Sequence, residues 1–188
     1  MPTSQYIVHL DRKVEFAAGT GVFAAGATTW TLAFNDSTIN AVVPASGAND
    51  GVLLTPTRPA ANTVRVTGDY SAIAVTIGRT YTAQIELSRP FLRDQQGKPL
   101  IRAGFTVRSI TTHHRRTGSY TVRMSRPPEA DVSQRFTPRS GLIESLGVFQ
   151  SWLAGHPEYV KWYIEDATAM PFMIPCVEFL GDYSEVLR

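Results

Sequence analysis

Four histidines, one cysteine and a scatter of carboxylates are the side chains of this sequence that could perform chemistry. His113 and His114 are adjacent. Successive residues of a strand point to opposite faces, so the two cannot readily share one metal ion. Arg115 and Arg116 follow at once and would repel a cation. The pair is therefore expected to be a hydrophilic approach to a turn at Thr117-Gly118. Cys176 could serve as a nucleophile with His156 as its base. Its neighbours, however, are Phe172, Met173, Ile174, Pro175, Val177 and Phe179. A thiol buried in such company keeps its proton and is inert, so core packing is expected. Asp11, Asp69, Asp94, Asp166 and Asp182 stand beside turns or strand ends. A fold could join any two of them as a glycosidase joins its acid and base, but nothing selects a pair. The sequence contains no nucleophile elbow, phosphate-binding loop, zinc-protease motif or calcium loop. No catalytic, cofactor-binding or metal-binding residue is expected, and the chain reads as a non-enzyme. Trp152, Trp162, Tyr159 and Tyr163 offer an alternative, an aromatic platform for a glycan. On that reading the chain is a carbohydrate- or receptor-binding module.

The elements that must position these residues have a period of two. Trp30, Leu32 and Phe34 alternate with Thr29, Thr31 and Ala33, Val64 and Val66 with Arg65 and Thr67, and Ile73, Val75 and Ile77 with Ala74 and Thr76. Tyr81 to Ser88 is the clearest run, with Tyr81, Ala83, Ile85 and Leu87 on one side. Phe105 and Val107 continue the pattern, then Tyr120, Val122 and Met124, and finally Val160, Trp162 and Ile164. Asn49-Asp50-Gly51, Gln96-Gly97-Lys98 and Thr117-Gly118 read as hairpin or loop turns. The prolines at 56, 59, 127, 128 and 138 mark places where a ladder stops or runs at an edge. Short strands with tight turns predict an all-β antiparallel sandwich or barrel with little helix. The best helix candidate is a short turn at Ser140 to Leu146, and Ser125 to Ser140 is the expected long loop. A soft seam near Gly78 divides an N-terminal β region, 1–78, from a C-terminal one, 79–188.

The chain has 188 residues and a mass of 20.7 kDa, with 43% hydrophobic and 18% charged residues. Disorder, a collagen repeat, a coiled coil and a disulfide scaffold are all excluded by that composition. No run approaches the roughly 18 apolar residues of a membrane helix, so a soluble protein made in the cytoplasm is expected. The net charge of +2 conceals a division. Arg89 to Arg139 holds eleven Lys or Arg against three acids, and the remainder holds seven against thirteen. Only Lys13, Lys98 and Lys161 are lysine. Arginine suits planar, partly buried ion pairs and interfaces, whereas a loose coat on nucleic acid would use more lysine. The basic segment is accordingly read as a solvated or subunit-contacting face of a sheet.

One ordered series of segments carries a resemblance. Tyr6 to Val14 contains a strand ending in Leu10-Asp11-Arg12, and Val64 to Asp69 follows. Then come Ile77 to Ser88, Phe91-Leu92-Arg93-Asp94 with Gly97, Gly104 to Arg108 and Thr117 to Val122. Met170-Pro171 and Val177 to Tyr183 close the series. It resembles the C-terminal part of the tail tubular protein B family, the nozzle proteins of short-tailed bacteriophages. The resemblance covers most of the chain, although Met170-Pro171 and Glu178-Phe179-Leu180-Gly181 depart from the family's Leu-Pro and Glu-Trp-Glu-Gly-like run. The portion that normally precedes this part is missing, so a fragment, a split gene or a reduced relative is expected.

The resemblance implies a structural subunit of a hexameric ring in the virion tail, continuing the portal and adaptor channel. The implied partners are further copies of the chain, the adaptor protein and a tail fibre or spike. Genome DNA would pass through the lumen without specific binding, and this chain would not insert into a membrane. A basic middle and acidic flanks would give the complementary faces that close a ring. Arg93, Arg102, Arg108, Arg115 and Arg116 are the expected interface residues, chosen from the basic segment.

Overall fold

A computed structural model of the chain describes residues 7–90, 96, 103–139 and 141–185. Among them are fourteen strands in four antiparallel sheets, and no helix. The all-β expectation is met. Two compact units are formed, Met1–Thr82 with Ala167–Pro171, and Ala83–Asp166 with Phe172–Arg188.

The first unit holds β1 (Asp11–Phe16), β2 (Val22–Ala24), β3 (Ala27–Thr31), β4 (Ala41–Pro44), β5 (Thr57–Ala60), β6 (Thr63–Thr67) and β7 (Val75–Arg79). A three-stranded sheet, β1-β7-β4, and a four-stranded sheet, β2-β3-β6-β5, share one core. Trp30, Val64 and Val66 from the larger sheet meet Val42, Val75 and Ile77 from the smaller. Val64 and Val66 are buried while Arg65 is half-buried and Thr67 exposed, as their alternation predicts. The apolar face expected to continue through Phe34 stops at Leu32, because β3 ends at Thr31 and Phe34 is exposed. Central β7 is buried on both sides, Thr76 included, so its alternation does not separate core from solvent. The Asn49-Asp50-Gly51 turn sets Leu54 back against Val42, with backbone hydrogen bonds of 2.8 and 3.0 Å in both directions. Gly51 at φ 74° occupies the left-handed region that this reversal needs.

The second unit holds β8 (Ala83–Glu86), β9 (Ala103–Thr117), β10 (Tyr120–Ser125), β11 (Val132–Phe136), β12 (Glu144–Ser151), β13 (Lys161–Asp166) and β14 (Cys176–Glu185). Its sheets are β12-β9-β14 and β11-β10-β13-β8. Between them lie Val107 and Ile110 from the first, and Tyr120, Val122, Met124, Phe136, Trp162 and Ile164 from the second. Trp162 is 1% exposed; its indole N–H donates to the Leu153 carbonyl at 3.2 Å, and its ring meets Phe179 edge-on. An aromatic buried with its polar atom satisfied contributes several kcal/mol, about 3–5 on truncation to alanine.

Several local expectations fail here for identifiable reasons. Tyr81 to Ser88 shows the cleanest alternation but contributes only the edge strand β8, where Ile85 remains exposed, and Tyr81, before the strand, is exposed too. Thr117-Gly118 is not a hairpin. It is a corner at which the chain leaves the β9 sheet for the β10 sheet. The Thr117 hydroxyl fixes that corner, accepting from the Met173 amide and donating to the Met173 carbonyl, each at 2.9 Å. Of the expected helical turn, Glu144 to Leu146 begin β12, residues 141–143 form no helix and Ser140 lies outside the described residues. The expected long loop contains β11 paired antiparallel with β10. In β12, Leu146 and Val148 lie on one side and Phe149 on the other, so apolar residues on both faces erase the period of two. The Gln96-Gly97-Lys98 turn lies largely outside the described residues.

Candidate functional site

The second unit has two outward sheet faces, and side chains with unused capacity concentrate on one of them. On the four-stranded sheet, Arg123 of β10 donates to Glu165 of β13 from Nε at 2.9 Å and from Nη2 at 2.6 Å. Its third nitrogen reaches Asp131, and the guanidinium lies 4.3 Å from the centre of the Tyr163 ring. Gln84 of edge strand β8 also bonds Glu165. Register explains this convergence: Thr121↔Glu165 and Arg123↔Tyr163 are cross-strand partners, and Gln84 is opposite Glu165. Arg123 holds the Glu165 carboxyl below its usual range, and Glu165 in turn raises Arg123. Hydrogen bonds from Ser125 and then Arg123 lower Asp131. Lys161 and Glu86 form a further pair at 2.9 Å, each stabilising the other's charge. Most charges of this face close upon one another. Exposed Arg135 of β11, opposite Thr121, bonds the Ser119 hydroxyl at 3.0 Å and has no ion-pair partner among the described residues.

The outward face of β12-β9-β14 differs. Leu146, Val148 and Leu180 are 73, 57 and 58% exposed. Val148, His113 and Cys176 form one row across its three strands, and Gln150, Thr111 and Glu178 the next. The His113 ring bonds Glu178 at 3.1 Å. Arg115, two residues along β9, is exposed and has no ion-pair partner among the described residues.

Beneath this face His114 points inward and is fully buried, contrary to the hydrophilic turn approach expected for the histidine pair. Its Nδ1 lies 3.1 Å from the Tyr120 hydroxyl, which bonds Thr112 at 2.6 Å. Burial makes His114 harder to protonate than usual and pushes Tyr120 up to about 12. Gly147, the cross-strand partner of His114, leaves room for the ring, since a Cβ there would stand 2.4 Å from His114 Nε2.

The arginines chosen from the basic segment fare unequally. Arg93 and Arg102 lie outside the described residues. Arg108 pairs with Asp182 across β9 and β14, so its charge is answered within the unit. Arg115 and Arg116 are exposed, Arg116 in the left-handed region at φ 46°. They are not neighbours of one function, because they are successive residues of a strand. Exposed Leu146, Val148 and Leu180 were missed, since an apolar residue in a strand reads as core until the partner strands are known.

Cys176 corrects the expectation of core packing. It is exposed, because β14 turns Val177 and Phe179 inward and Cys176, Glu178 and Leu180 outward. The histidine beside it is His113 and not His156, whose Nδ1 accepts from the Glu158 amide at 3.3 Å. The aromatic platform fails as well. Trp152 and Tyr159 are exposed, but Trp162 is in the core and Tyr163 is covered by Arg123.

No curated protein matches this sequence. The sequence profile described as bacteriophage nozzle protein matches residues 1–185, nearly the whole chain. A match of that extent, on an all-β chain with an apolar outward sheet face, agrees with the resemblance read from the sequence. The chain belongs to the bacteriophage nozzle protein family and is a structural component of the virion tail.

Proposed function

We propose that this chain is a subunit of a closed ring, hexameric by family analogy, that continues the portal–adaptor channel through which the genome leaves. Further copies of the chain, the adaptor and a tail fibre or spike are its partners, and DNA slides through the lumen without specific grip. The chain is made in the host cytoplasm before joining the tail, and it performs no catalysis. The observation that carries this reading is the match to the nozzle family over residues 1–185. The outward face of β12-β9-β14 supports it: exposed Leu146 opposite exposed Arg115, with exposed Val148 in the next row, suits contact with another protein surface better than contact with water. Exposed Leu180 adds a second apolar point further along the face, opposite Ser109. Arg115 on the aliphatic face supplies the basic side of that contact, and Arg93, Arg102, Arg108 and Arg116 remain proposed for subunit or adaptor contacts around the ring.

Light scattering at several concentrations, with negative-stain imaging, tests the ring reading. Rings with an axial hole are expected, formed alone or on addition of a portal–adaptor complex. A chain that stays monomeric under both conditions would count against it. Arg108→Glu with Arg115→Glu should impair assembly while leaving circular dichroism unchanged; normal rings from that double variant would remove the arginines from the interface.

A further inference from the structure

We propose that the outward face of the β9–β14 pair binds one divalent metal ion, Zn2+ by the chemistry of its donors, through His113 Nε2, Cys176 Sγ and a Glu178 carboxylate oxygen. His113 and Cys176 are direct cross-strand partners, and Glu178 follows Cys176 by two residues on the same face. The three donor atoms all lie within 4.8 Å of one another, and His113 Nε2 is already 3.1 Å from Glu178 Oε1. In a tetrahedral zinc site with bonds of about 2.0–2.3 Å, donors stand roughly 3.3–3.8 Å apart. Closing the site therefore needs a movement of about 1 Å, which rotation of exposed side chains supplies without moving the backbone.

The ladder on both sides of β9 holds the Cα atoms of all three residues, so the site is organised before the ion arrives. Imidazole, thiolate and carboxylate together select a borderline ion over the all-oxygen preferences of Mg2+ and Ca2+. Thiolate and carboxylate bring two negative charges to the ion. Arg115, on the same face, is exposed and can turn its cation to solvent. The fourth position faces outward and is open to water or to a donor from another protein.

Co2+ is the probe, titrated into the reduced full-length chain and followed by its thiolate-to-metal charge-transfer absorption. Saturation at one equivalent is expected, with the band abolished by Zn2+ and absent in Cys176→Ser. His113→Ala and Glu178→Ala should each weaken Co2+ binding by more than about tenfold, the loss typical of merely removing an outer-shell partner. All three side chains reach solvent, so unchanged circular dichroism is expected for each variant. Absence of the band in the unaltered chain would overturn the site. So would equal affinity in the His113 and Glu178 variants, the sign of a lone thiol adduct. Saturation at half an equivalent would also overturn it, since the ion would then bridge two chains through their cysteines.

Discussion

On one side of the second unit's sandwich, Arg123, Glu165, Asp131, Gln84 and Tyr163 satisfy one another; on the other, Leu146 and Val148 stand in solvent near Arg115, and Leu180 stands in solvent further along the same face. The first face comes from strands that alternate polar with apolar residues, the second from strands β12 and β14 that carry apolar residues on both sides, and the same core lies between them. A charged network whose partners all lie within one unit gains nothing from a neighbour and would lose hydration on meeting one. Exposed aliphatics gain from any surface that covers them, at about 25 cal/mol per Å². Under the proposed ring function the two faces take opposite roles: one remains in water and the other is covered by a neighbouring copy.

The most severe way to break that contrast is to place charge on the aliphatic face. Val148→Arg with Leu180→Asp should weaken self-association by about a hundredfold or more, since each side chain would otherwise bury about 1.5–3 kcal/mol. Its unfolding free energy should stay within roughly 0.5 kcal/mol of the unaltered chain, because both residues are exposed in the free protein. Arg123→Ala should do the reverse. It leaves the Glu165 carboxylate short of two hydrogen bonds and uncovers Tyr163, for a loss of about 2 kcal/mol in denaturant unfolding and no change in assembly.

A pH titration sharpens the comparison from within the core. His114 is fully buried and harder to protonate than its ordinary value of 6.5. Between its folded value and 6.5 the unfolded chain binds more protons than the native one. Stability should thus be retained above 6.5 and decline as pH falls through that window. Urea midpoints at about pH 7.5 and about pH 5 check the sign, and His114→Phe should flatten the slope. Asp36 of the first unit belongs to a lower range. Hydrogen bonds from the Thr38 hydroxyl and amide, then from Arg12, hold it at about 2, so its contribution is lost only as pH falls below 3.8. The smallest effect is expected at Lys161→Ala, where loss of a solvent-screened exposed pair should leave the urea midpoint nearly unchanged.

The parts of the fold that were legible in the sequence are those where the two sides of a strand differ chemically. Val64 and Val66, Tyr120, Val122 and Met124, and Trp162 and Ile164 all lie in the core as their alternation says. Where both sides carry apolar residues, periodicity carries no direction. Cys176, Leu180 and Val148 could not be told from Val177, Phe179 and Phe149 until β9 supplied the register. The same holds for charge. Arg108 is answered by Asp182, 74 residues away, and Arg123 by Glu165, 42 away, so the surplus in the basic segment does not say which arginines are unpaired. His114 looked hydrophilic because its neighbours are, but its register in β9, on the same face as Ile110 and Thr112, turns it inward, and Gly147 leaves space for its ring.

Sedimentation velocity over a range of concentrations, without and then with a portal–adaptor complex, run side by side on the unaltered chain, on Val148→Arg with Leu180→Asp, and on Arg123→Ala, addresses the division between the two faces most directly. The expected result is assembly of the unaltered chain and of Arg123→Ala, with the double variant remaining monomeric. Assembly of the double variant at the same concentration as the unaltered chain, or its loss in a folded Arg123→Ala, would contradict the roles assigned to the two faces.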